Sequence, residues 1–162
     1  MSLDRLKALI ALETEQIASF ADAQGALQGA ILERDWASLE RLIRLLEAAS
    51  QEIAAVEQER VVVFADACAR FGVAVEAGIG ELIAKAPEGE RAELLACTRA
   101  LQVATLGAKG RTEQLDAYVS GHVRTTNALL HEVFPDQKGT IYSRCGRRSP
   151  ADSSALVVDR HL

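Results

Sequence analysis

Aromatic side chains are scarce in this chain, with one Trp, two Tyr and four Phe among 162 residues, and prolines number three. A single-strand nucleic-acid binder interleaves aromatics with basic residues to stack bases, and that pattern is missing. Cysteine is scarce too: Cys68, Cys97 and Cys145 are odd in number, far apart and without a C-x-x-C pair. That excludes a disulfide framework and a thiolate zinc site, and it fits a reducing cytoplasm. The longest uninterrupted apolar runs, Val61 to Ala65 and the equally long Ala8 to Leu12, fall far short of the ~20 residues that span a bilayer. Met1-Ser2-Leu3-Asp4 opens on an acid rather than a basic signal region, so neither membrane insertion nor a cleaved secretion signal is expected. There is no G-x-x-x-x-G-K-[ST] phosphate loop and no H-E-x-x-H, and Gly78 and Gly80 lack the preceding strand of a dinucleotide fingerprint. Glu-x-x-His spacing fails as well, because Val119 and Ala128 stand three residues before His122 and His131. The residues therefore predict no enzyme, no metal and no cofactor.

What is abundant is helix-forming. Ala (28) and Leu (20) fill 48 of 162 positions, hydrophobic residues make up 49% and charged ones 25%. The composition predicts an all-α protein. The net charge of −5 hides a split: residues 1–137 carry 13 Lys/Arg against 21 Asp/Glu, or −8, and residues 138–162 carry five against two, or +3. An acidic body repels phosphate backbones, so nucleic acid is not the expected partner.

Positions 3, 6, 10, 13, 17, 20, 24, 27 and 31 follow the three-four step of a helical seam and are apolar except at Glu13 and Gln24. A second seam runs through Leu39, Leu42, Leu46, Ala49, Ile53, Val56, Arg60, Val63, Ala67 and Arg70, shifted by one residue from the first. The slip predicts a break near Asp35, with Asp35 as helix cap and Trp36 anchoring the next helix; one helix from 3 to 71 is the alternative. Gly72 predicts a left-handed stop, followed by a short helix over Val75–Ala84. Pro87 with Glu88, Glu90 and Glu93 opens a long helix that Pro135 ends. The three long segments would measure about 45, 55 and 70 Å, which suits an elongated antiparallel bundle or coiled-coil-like hairpin of three to four helices.

The last helix has the weakest seam: Leu94, Thr98, Leu101, Thr105, Ala108, Thr112, Leu115, Val119, His122, Thr126, Leu129 and Val133, with Gly107, Gly110 and Gly121 nearby. Such a stripe either lets another helix approach closely or needs something to cover it. His122 reads as a polar core position, and Cys68 and Cys97 as small buried hydrophobes. Leu9, Leu12, Ile43, Phe64, Phe71, Leu95, Leu106, Tyr118, Leu130 and Phe134 lie off the seams. They either widen the core arcs or line a groove for a partner's amphipathic helix. The domains expected are a helical body over 1–137 and a flexible, mildly basic tail over 138–162.

Asp35, Leu39, Leu42 and Leu46, then Ile53, Val56, Glu57 and Arg60, resemble the D-x3-L-x2-L region ending in E-x2-R of the flagellar export chaperone FlgN family. Asn127-Ala128-Leu129-Leu130 is similar to the N-x-L-L element closing that family's last long helix. Ile141-Tyr142-Ser143-Arg144-Cys145-Gly146 resembles its tail, where a tyrosine is followed four residues on by glycine. Ser143 replaces the glycine common after that tyrosine, and Ser120 stands where an asparagine often precedes Asn127 by a heptad.

The resemblance implies a cytoplasmic chaperone of flagellar type III secretion. It would hold hook-associated proteins of the hook-filament junction by their C-terminal amphipathic segments and escort them to the membrane export gate. Client binding is assigned to Leu115, Tyr118, Val119, Leu129, Leu130 and Val133, and docking to the cytoplasmic domain of the gate protein to Ile141 and Tyr142. Whether the free protein forms a homodimer stays open. Two other readings compete: a histidine phosphotransfer bundle using His122 or His131, though no basic pattern beside either would hold a phosphoryl group, and a generic coiled-coil adaptor.

Overall fold

The computed structural model describes residues 2–133, and every regular element among them is helical: α1 Ser2–Glu33, α2 Trp36–Phe71, a 3-10 turn Val75–Ala77, α3 Gly78–Lys85 and α4 Glu88–Val133. The expected tail, with Ile141 and Tyr142, lies outside the described residues. The chain forms two compact units, Met1–Ala117 and Tyr118–Leu162.

In the first unit, the seam shift at residue 35 is a true break. Arg34 takes a left-handed conformation (φ 58°), the Asp35 amide donates to the Ala30 carbonyl (2.9 Å) and the Arg34 amide to that of Ile31 (3.3 Å). Those two bonds satisfy the carbonyls that a helix end leaves free. Asp35 then caps α2, its carboxylate accepting from the Ser38 amide at 3.1 Å. Trp36 does not anchor the new helix as expected: it is 69% exposed, because the first residue of α2 precedes the turn that faces α1. The same closing geometry recurs after α2, where Gly72 (φ 61°) donates to Ala69 (3.4 Å) and Val73 to Cys68 (2.9 Å). A glycine meets this conformation without the clash an ordinary side chain suffers. Before α4, Ala86 is extended (φ −66°, ψ 153°), as the residue preceding a proline is driven to be. The Pro87 carbonyl accepts from Glu90 (2.9 Å) and Arg91 (3.2 Å), so the proline precedes the helix rather than sitting inside its first turn.

The core lies where the start of α1, the end of α2, α3 and the start of α4 meet. Leu3, Leu6, Leu9 and Ile10 pack there with Val63, Ala67, Cys68, Val73, Leu82, Ala86 and Leu94. Of the off-seam residues, Leu9 is buried and Phe64 and Phe71 pack against this core, whereas Leu12, Ile43, Leu95 and Leu106 are exposed. Cys68 is buried as expected, and burial pushes its thiol pKa up. Cys97 is half-buried against the core.

The polar interruptions of the seams meet one another. Glu13, 4% exposed, is held by Arg60 through its Nε and through Nη2 at 3.3 Å. Gln24 donates from Nε2 to Thr112 Oγ1 at 2.7 Å. Lys7 pairs with Glu93 (2.8 Å), and Arg111 donates to the Ala21 carbonyl (3.0 Å), so α4 runs parallel to α1 along this unit. Small residues on α4 leave the junction of three helices incompletely filled. A cavity of about 310 Å³, broadly open to solvent, lies there, lined by Ile17, Phe20, Ser50, Ile53, Thr105, Ala108, Lys109 and Thr112.

Candidate interaction surface

Along the part of α4 within the first unit, burial of the seam declines. Leu94 and Thr98 are buried, Leu101, Ala108 and Leu115 are half-buried, and Thr105 and Thr112 are exposed. Each exposed hydroxyl folds back onto its own helix, Thr105 to the Leu101 carbonyl (2.8 Å) and Thr112 to that of Ala108 (3.0 Å). Leu115, one of the six residues assigned to client binding, therefore belongs to the first unit.

The other five lie in the second unit, whose described part is the helix over 118–133. Tyr118 is half-buried, and Val119, Leu129, Leu130 and Val133 are 42%, 56%, 51% and 65% exposed. At 100° per residue, Tyr118, Leu129, Val133, Val119 and Leu130 fall within about 120° of arc. They share one face of the helix, on which the polar His122 and Thr126 stand between Val119 and Leu129. The sequence reading omitted Val123, 54% exposed, which extends the stripe to about 140° and stands four residues from Val119. Its signal was that spacing, lost because the seam was traced through a single residue per turn.

His122 is exposed, which corrects its reading as a core position. A seam residue is buried only where a second helix covers the seam. Its ring meets that of Tyr118 edge-on, with centroids 4.4 Å apart and planes at 63°. The far side of this helix carries Ser120, Arg124, Asn127, Ala128 and His131. Thr125, about 20° from Tyr118 at the edge of the stripe, donates to the Gly121 carbonyl at 3.0 Å. Arg124 and Glu132 are the only formal charges between 118 and 133 with His neutral, and they cancel. What the stripe can offer a partner is apolar area rather than a field.

Cys68 is walled into the core, and its raised pKa keeps it a thiol, the poorer nucleophile. Among the described residues no group of three or more His, Cys, Asp or Glu is placed to hold a metal ion. No described helix is long and apolar enough to cross a membrane.

Against known families, the one described as FlgN protein matches residues 1–150. No curated protein and no solved structure matches the chain.

Proposed function

Because this chain belongs to the FlgN family, a family of flagellar export chaperones, we propose that it holds hook-associated proteins of the hook-filament junction in the cytoplasm and delivers them to the export gate. The observation that carries this reading is the exposed apolar stripe on the helix over 118–133, Tyr118, Val119, Val123, Leu129, Leu130 and Val133. Contiguous apolar surface on a folded protein marks a place where something binds. The C-terminal helices of filament-type subunits are amphipathic and lack their partners before assembly, so they self-associate unless covered. A helix laid against this stripe is the helix-in-groove mode of recognition. Ordering the client segment costs conformational entropy, which keeps the complex releasable. No chemistry is needed for this role, and none is proposed.

Gate docking is assigned to Tyr142, with Ile141 beside it and Arg144, Arg147 and Arg148 as electrostatic support. An aromatic with a hydroxyl buries much area while losing few torsions, which suits an anchor.

The test of the client site is calorimetric titration of the C-terminal segment of a hook-associated protein into the full chain and into Leu129→Gln/Val133→Gln. The expected result is at least tenfold weaker binding by the double variant with unchanged helicity, since two exposed aliphatic anchors are lost. Equal affinity would place the client elsewhere.

A further inference from the structure

The apolar stripe over 118–133 has a polar centre. His122 and Thr126 lie about 40° and 80° from Tyr118 in an arc that closes near 140°, and along the axis they fall between Val119 and Leu129. Both are exposed. A partner helix laid on the aliphatic residues around them would bury an imidazole and a hydroxyl. Left without hydrogen bonds, such groups oppose binding strongly enough to decide between partners.

The first unit shows how this chain handles the same problem inside its own core. Of the polar breaks in the α1 seam, Glu13 is held across the helix interface by Arg60, and the Gln24 amide nitrogen donates to Thr112 while its Oε1 is buried without a partner. We infer that the segment accepted by the 118–133 face is an amphipathic helix whose apolar stripe is itself broken by an amide side chain, Asn or Gln, set against His122 and Thr126. An amide offers donors and an acceptor together, matching the mixed capacity of a neutral imidazole and a hydroxyl. A charged residue there would have to be buried beside a stripe that holds no opposing charge. The Gln24–Thr112 pair is the same amide-to-hydroxyl solution, at 2.7 Å. Tyr118 meets His122 edge-on, with ring centroids 4.4 Å apart, on the same face. The inference rests on the 118–133 face being the client site, and it makes His122 and Thr126 specificity-determining residues there.

Two synthetic amphipathic helical peptides, alike except for Gln or Leu at the middle of the apolar stripe, test it against the full chain and against His122→Leu/Thr126→Val. Both replaced residues are exposed, and circular dichroism checks that helicity is kept. The expected result is that the full chain binds the Gln peptide about tenfold more tightly than the Leu peptide and that the double variant reverses the preference. The same preference in both proteins, or a Leu preference in the unsubstituted chain, would overturn the inference while leaving the site in place. If neither peptide binds the unsubstituted chain, or if Leu129→Gln/Val133→Gln binds both as well as it does, the client-site reading itself fails.

Discussion

Glu13 stands at a seam position where an aliphatic residue would be expected, and its 4% exposure makes the Arg60 guanidinium indispensable to it. Arg60→Met, which leaves the buried Glu13 carboxylate unpaired, is expected to lower unfolding free energy by about 2–4 kcal/mol, and Glu13→Gln to cost less, because the part-exposed Arg60 keeps Glu57 at 3.8 Å. Glu13→Leu/Arg60→Met together should recover most of that loss, and urea denaturation of the three variants measures it. The breaks at 13, 24, 60 and 112 were all visible as polar residues in apolar stripes. Which break faces which was not legible, because that depends on the register between helices distant in sequence. Asp35 is a residue whose role was legible, since an acid just before an apolar period is a cap in most contexts. Hydrogen bonds from Ser38 hold its carboxyl below the usual range. A carboxyl depressed in the folded state stabilises above its unfolded pKa of about 3.9 and ceases to do so as pH falls through its folded value. Asp35→Ala should therefore lower the melting temperature at pH 7, and the gap to the unsubstituted chain should close as the pH is lowered below about 4.

Among the elements, ends were easier to read than faces. Asp35, Gly72 and Pro87 each act through local backbone geometry, so the breaks they mark fall where the sequence places them. Faces depend on what lies opposite. His122, read as a core position from its place on the seam, and Trp36, expected to anchor the start of α2, are both exposed. The small residues of α4 were recognised as a weak seam, but two outcomes were open, close approach or incomplete cover. The cavity against α1 and α2 shows incomplete cover in the first unit. Ala108 lines that cavity and is half-buried on a helix. Ala108→Leu should fill part of it and raise stability by about 1 kcal/mol, read as a higher melting temperature; a fall would mean the cavity walls cannot accommodate the added carbons.

At the scale of the molecule, two proposed tasks fall to two stretches of sequence, client capture to 118–133 and gate docking to Tyr142. Tyr142→Ala is expected to leave melting temperature and client affinity unchanged while weakening binding to the cytoplasmic domain of the gate protein. A lowered melting temperature with unchanged gate affinity would make Tyr142 a structural contact instead. The family was legible from Asp35 to Gly146 because its signature residues keep their order, and the match over residues 1–150 agrees. The apolar spacing over 118–133 was legible, and the exposure of His122 was not, because a seam histidine has the same period whether covered or bare. Amide hydrogen exchange with and without the C-terminal segment of a hook-associated protein shows whether the stripe over 118–133 receives the client. Added protection is expected to be concentrated at residues 118–133, with little change in α1 and α2. Protection confined to α1 and α2, around Ile17, Phe20 and Ile53, with none at 118–133, would contradict it.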